Sequence, residues 1–182
     1  MLAFNWVDLA ILAVLMLGLA TGWMQGLVRQ LIVLAALYLG AILATQYHAF
    51  LGNGLKSILV GTPGIIVNAI SFFGILLIVT AIINLLAFDA ARMSFRLPAV
   101  FDRLGGMLLG AVSGWILVTL AVQILSYSTG IAAWGDADNM REFIANGIRA
   151  SRLADVAAAT VPALIGTIKP WLPSGLPSIF SL

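Results

Sequence analysis

The chain has 182 residues, of which 62% are hydrophobic and 9% charged, and its mean hydropathy is +1.11. Soluble domains carry roughly 25% charged and about 45–50% apolar residues, so this composition excludes a water-soluble globular domain; too little polar surface exists to cover one. Cysteine is absent, one histidine (His48) is present and the formal net charge is +2. That excludes a disulfide framework, leaves little for metal or acid–base chemistry, and points to membrane orientation rather than nucleic acid.

A hydrocarbon core of about 30 Å takes roughly 20 apolar residues of helix. The first such stretch runs from about Trp6 to Met24, with Asp8 near its start. It lacks a basic leader and a small-residue cleavage site, so it is expected to remain as a span. The second runs from about Leu27 to Tyr47, with Arg29 in its first turn. Residues 48–63 contain Gly52, Asn53, Gly54, Gly61 and Pro63, which predict a loop holding His48, with room for a short interfacial helix around Leu55–Val60. The third span covers about Gly64 to Phe88. After it come Asp89, Arg92, Arg96, Asp102 and Arg103, the densest charge cluster in the chain. The fourth span runs from about Leu104 to Tyr127.

The segment 128–182 differs in kind. Met140, Phe143, Ile144, Gly147 and Ile148 recur at helical spacing opposite Arg141, Glu142, Asn146 and Arg149. Leu153, Val156, Ala157, Val161, Leu164 and Ile168 form a second stripe, with Ser151 as its N-cap and Pro162 expected to kink or split it. Both pieces are predicted to lie in the membrane interface. The closing residues carry Pro170, Pro173 and Pro177, which predict an extended tail with Trp171 as a headgroup anchor. The expected fold class is an all-α integral membrane protein with four transmembrane helices and short interfacial amphipathic helices in its tail.

Orientation follows from the basic residues near span ends. Arg29, Arg92, Arg96 and Arg103 share one side; Lys56, Arg141, Arg149, Arg152 and Lys169 share the other. Short connections weigh most in the positive-inside rule, which places the Arg29 side in the cytoplasm and both termini outside.

Small residues recur at every fourth position. Gly18, Gly22 and Gly26 close the first span; Ala36, Gly40 and Ala44 lie in the second; Gly106, Gly110 and Gly114 open the fourth. Residues four apart share a helix face, and glycine there lets two backbones approach closely in lipid. A close-packed bundle is expected, with the first and fourth spans meeting through these glycines and self-association or another membrane protein as the alternative use.

Charges inside or beside a span are functional candidates by default, although snorkelling and structural ion pairs are common at span ends. Roughly 30 Å of helix separates Asp8 from Arg29, which puts them at opposite membrane faces. Arg29 shares its face with Asp89 and Asp102, and an Arg29–Asp102 pair is the expected contact. Asn68, Thr80, Asn84 and Gln123 are polar residues within spans, and Thr80 and Asn84, on one face, are expected to hydrogen-bond across helices, each bond contributing about 0.6–2 kcal/mol. His48 has no second strong metal ligand near it. Ser71, Ser94 and Ser113 lack a nucleophile-elbow motif. Neither a metal, a cofactor nor enzyme activity is expected.

The order and spacing of several segments resemble the colicin V production (CvpA) family of bacterial inner-membrane proteins. They are NWVDLAILAVL (Asn5–Leu15), the G-x3-G-L-V-R-Q run from Gly22 to Gln30, Asn84, DRLGGMLLGAVSGWI (Asp102–Ile116) and SRLAD (Ser151–Asp155). The resemblance implies a four-span protein of the cytoplasmic membrane, linked to colicin V production or export and to envelope stress. Some relatives use the module as an anchor for a trypsin-like protease domain on the outer side. The segment after the fourth span is too short for such a domain, so protease activity is not carried over. The family positions that match are Asp8, Gly22, Gly26, Arg29, Asn84, Asp102, Arg103, Gly106, Gly110 and Gly114. An arginine often stands near Ser113 in the family pattern, as in G-x-x-R-G, and is absent here.

The leading functional expectation is a non-enzymatic membrane scaffold or accessory protein, or a constitutive subunit of a larger membrane complex. Its partners would be the lipid bilayer and other membrane proteins or a second copy, with no nucleic acid. The alternative is a small transporter or channel component with a polar path lined by Arg29, Asn84, Asp102 and Gln123.

Overall fold

A one-residue reversal at Gly26 sets the architecture. The computed structural model describes residues 5–59, 61, 62, 64–86, 98–130, 134, 138–168 and 170, and among these it contains six helices and no strand. Helix α1 (Trp6–Gln25) ends at Gly26, whose φ of 79° only glycine adopts at low cost, and α2 (Leu27–Leu55) starts immediately. Helices α3 (Gly64–Leu86) and α4 (Ala99–Gly130) complete a set of four that are long and apolar enough to cross a bilayer. The chain is therefore a multi-pass membrane protein. Two shorter helices follow, α5 (Asp138–Arg149) and α6 (Arg152–Ile168).

The reversal at Gly26 does not produce a hairpin. The chief partner of α1 is α4, that of α2 is α3, and α4 stands between α1 and α2. Helix α4 is thus the centre of the bundle, in keeping with the largest share of buried residues among the four spans. Lipid is as apolar as leucine, so burial of apolar area does not drive these helices together. Close van der Waals packing does. The outward faces remain apolar, as with Met24 at 83% exposure, and lipid is the solvent they fit. Several hydroxyls within the spans turn back on their own helices: Thr45 donates to Ala41 O, Ser71 to Val67 O, Ser113 to Leu109 O and Ser128 to Ile124 O. Each satisfies a donor that hydrocarbon could not.

Two cores form, and α6 enters both. Val7 and Ile11 of α1, Val118 and Val122 of α4, and Ala154 and Ala157 of α6 make one. Leu37, Ala41 and Ala44 of α2, Phe72 and Leu76 of α3, Leu120 and Ile124 of α4, and Val161 and Ile165 of α6 make the other. Along α6, Ser151 at its N-cap meets Asp8 of α1, Thr160 meets Thr119 of α4 at 3.2 Å, and the Thr167 carbonyl accepts from Tyr38 of α2 at 2.6 Å. Three successive contacts on three different helices mean that α6 runs across the bundle rather than along it. Together α5 and α6 form a collar at the end where α1 begins.

Several helix limits differ from the sequence reading. Helix α2 continues through Leu55, so His48 lies in a helix and not in a loop. The expected interfacial helix around Leu55–Val60 is a turn closed by Ile58 and Leu59 N–H groups on Leu55 O, with residue 60 outside the described residues. Helix α4 begins at Ala99 and ends at Gly130, five residues before and three after the expected span. Pro162 does not split α6; it stands within one continuous helix. Asp89, Arg92, Ser94, Arg96, Lys169, Trp171, Pro173 and Pro177 lie outside the described residues, as do the expectations placed on them.

Candidate functional site: two carboxylate nodes at opposite ends of the bundle

At the collar end, Asp8 sits in the first turn of α1, only 5% exposed. Its Oδ2 accepts the Asn5 backbone N–H at 3.3 Å, half of a capping arrangement on α1 itself. Its Oδ1 accepts the Ser151 hydroxyl at 2.6 Å and the Leu153 backbone N–H at 3.1 Å. The Ser151 oxygen in turn accepts the Ala154 N–H at 3.0 Å, the N-cap bond expected of it. One carboxylate therefore caps two helices whose residues are 143 or more positions apart in sequence. Negative charge is favoured at a helix N-terminus, and a hydrogen bond to a charged group contributes about 1.5–3 kcal/mol.

Neighbouring side chains close the same joint. Asn5 Nδ2 donates to Gly147 O at the end of α5. The Trp6 indole stacks on Phe143 with centroids 5.1 Å apart and planes 7° from parallel. A Cβ on Gly147 would run into that indole at 2.6 Å, so glycine is needed here for the close approach. Farther along the collar, Arg141 Nε bonds Asp138 at 2.5 Å and Trp134 Nε1 donates to Ser128 O at 3.0 Å. The Arg141 guanidinium lowers the Asp138 carboxyl below the ordinary carboxylate range, and Asp138 raises Arg141 in return.

At the other end Asp102 does related work. Its Oδ1 accepts the Leu27 backbone N–H at 2.9 Å, the first donor of α2, which a helix leaves without an internal partner. A Cβ on Gly26 would strike the same carboxylate. The expected Arg29–Asp102 ion pair is thus replaced by a cap and is not among the ion pairs of the described residues. Proximity decided it: α2 begins directly over α4, and its N-terminal donor reaches the carboxylate first. Arg29 has another interaction. Arg103 lies over the Trp23 ring, 5.9 Å from the centroid, within the range of a cation–π contact.

Between these nodes α1 and α4 touch backbone to backbone. A Cβ on Gly18 would meet Gly110 O, one on Gly22 would meet Gly106 O, and the reverse holds for Gly106 and Gly110. Gly114 is looser, with Val14 O at 3.4 Å from such a Cβ. Gly40 of α2 faces Leu76 and Thr80 of α3. Asn84 Nδ2 donates to Thr80 O at 2.8 Å, within α3 and not across helices as expected. The cause is the i–4 spacing, which places the amide beside its own carbonyl before any neighbour can compete. His48 is buried, its Nδ1 beside the Ala44 and Thr45 carbonyls at 3.2 and 3.0 Å and its ring edge-on to Phe72.

The sequence reading named Asp8 and Ser151 separately and missed their union, together with Asn5, Gly147 and the close fit of Gly52 on Asn68. The one signal for the union was Ser151 at the start of a helix, which marks a cap without saying what else it holds. Chemically, each node presents a carboxylate to backbone N–H groups. That arrangement fastens helix ends; both acids are engaged in holding structure.

No curated protein and no solved structure matches this chain. A family profile does, that of the colicin V production protein, over residues 7–162, from α1 well into α6. The stretch it covers takes in both carboxylates, the glycine contacts and most of the collar, and on that match the chain belongs to the colicin V production (CvpA) family.

Proposed function

We propose that this protein is a non-enzymatic scaffold or accessory component of the bacterial cytoplasmic membrane, linked through its family to colicin V production or export and to envelope stress. It would present the α5–α6 collar on the outer side as a docking surface. The observation that carries this reading is the fastening of the collar to α1 by Asp8, which gives a platform with outer residues uncovered; Met140 is 60% exposed. The start of α1 and the collar share one end, and Arg29 and Arg103 flank the tight turn at the other. Positive residues beside short connections favour the cytoplasm for that second end.

A transporter reading finds less support. Asn84 and Asp102 are engaged by backbone groups of α3 and α2, and neither Arg29 nor Gln123 is without a partner. The test is capture by a C-terminal tag after mild solubilisation of native membranes. A stoichiometric partner that is held by the native chain and lost in Asp8→Ala supports the proposal. A lone species, or a partner retained equally by Asp8→Ala, contradicts it.

A further inference from the structure

We propose that the wedge between α1 and α4 beneath the collar is a phospholipid site, with one acyl chain in the wedge and the headgroup phosphate on Arg141. The α1–α4 pair is not uniformly close. Glycines draw the backbones together from Gly18 to Gly26, whereas Val7, Ile11 and Val14 hold them apart from Val118 and Val122 nearer the collar. The gap left is a cavity of about 140 Å³, lined by Trp6, Ala10, Val14, Ala121, Leu125 and Ile148. From Trp6 to Val14 it covers about 12 Å of helix, most of the roughly 15 Å of hydrocarbon in one leaflet. Its wall is almost wholly apolar and it is open at the side, so a hydrocarbon chain fits it and water does not.

What distinguishes this wedge from ordinary lipid-facing surface is the cation above its mouth. Thr129 stands one turn beyond Leu125 and donates its hydroxyl to the Leu125 carbonyl at 2.9 Å. Arg141 Nη1 lies 3.4 Å from the Thr129 carbonyl. Ile148, two turns along α5 from Arg141, helps line the cavity, so the same helix carries its roof and the guanidinium. Arginine has five N–H donors. Asp138 takes one from Nε and one from Nη2, and Thr129 takes one from Nη1, which leaves one on each terminal nitrogen. Those two are available to phosphate oxygens, while Asp138 holds the plane in place. The Trp6–Phe143 stack at the rim is the amphipathic aromatic pair expected at headgroup depth.

The proposal is independent of the scaffold reading and is tested with the full chain in nanodiscs of phosphatidylethanolamine and phosphatidylglycerol. A trace of phospholipid bearing a diazirine in one acyl chain is photolysed and labelled peptides are mapped, with an uncharged diazirine diacylglycerol, which lacks the phosphate, as the second probe. Phospholipid label should concentrate on residues 10–14 and 117–125 above the exposed face of α3, and fall about tenfold in Ala121→Phe, which fills the wedge. Diacylglycerol should label the wedge weakly, and Arg141→Gln should reduce phospholipid to that level. Uniform labelling over all lipid-facing helices, unchanged by Ala121→Phe, overturns the site. Equal labelling by the two probes overturns the role of Arg141. If Ala121→Phe does not fold, native mass spectrometry of wild-type protein decides: one phospholipid retained after lipid removal supports the site, and none contradicts it.

Discussion

The two halves of the α1–α4 contact solve the same packing problem in opposite ways. In the Gly18–Gly26 half the backbones meet directly against Asp102–Gly110, and little side-chain volume lies between them. In the Trp6–Val14 half, valine and isoleucine separate the helices, and the α5–α6 collar is laid across the opening and fastened by Asp8. Lipid supplies no hydrophobic pressure to close a gap, so a membrane helix pair must either remove side chains until backbones touch or bring in another element. This chain does both along one helix pair. A carboxylate stands at each end because helix N-termini meet there, and their N–H groups have no other acceptor in a dry setting.

The contrast can be broken most severely at the close half. Gly22→Leu forces a side chain into the Gly106 carbonyl, where a Cβ alone already collides with backbone. Overpacking typically costs about 1–3 kcal/mol, and against backbone the loss should reach the top of that range, read by reversible unfolding in detergent or, where the variant does not accumulate, by its level in the membrane. The fastened half is more forgiving. Ser151→Ala removes a cap and one bond to Asp8 but leaves the Leu153 bond, and the loss should be about 1 kcal/mol, seen as faster proteolysis within α6.

Acid sharpens the comparison differently. The folded Asp138 carboxyl titrates below its unfolded value, so its pairing with Arg141 contributes fully above the unfolded pKa of about 3.9 and is lost as pH falls through the folded value. The amides one turn into α5, from Glu142 onward, should therefore keep their protection from pH 8 to 5 and exchange modestly faster, after correction for intrinsic rates, below about pH 4, with the glycine half unaffected. The smallest effect belongs to the boundary between the halves. Gly114→Ala places its methyl at ordinary contact distance from Val14 O and should change stability by no more than about 0.5 kcal/mol in the same unfolding assay.

Much of this was legible in residue order. Apolar runs of spanning length marked the four long helices, and the stripe of Met140, Phe143 and Ile144 marked α5, because both signals are local and periodic. The helix end after Tyr47 was misjudged because Gly52, Asn53 and Gly54 resemble turn residues. In the fold Gly52 is a contact residue against Asn68, and α2 runs through it. The Arg29–Asp102 pairing failed for a related reason: opposite charges were weighed, and the unpaired N–H of Leu27 was not. Asp8 and Ser151 lie 143 residues apart, and no local pattern ties them together.

The central claim is that Asp8 fastens the collar to the bundle. Site-resolved hydrogen exchange on Leu153 and Ala154, in native protein and in Asp8→Ala, tests it most directly. The account predicts that both amides are protected in the native chain and exchange about tenfold or more faster in the variant, while α4 amides beside Gly106 and Gly110 keep their rates. Equal protection of Leu153 and Ala154 in the two proteins would contradict it.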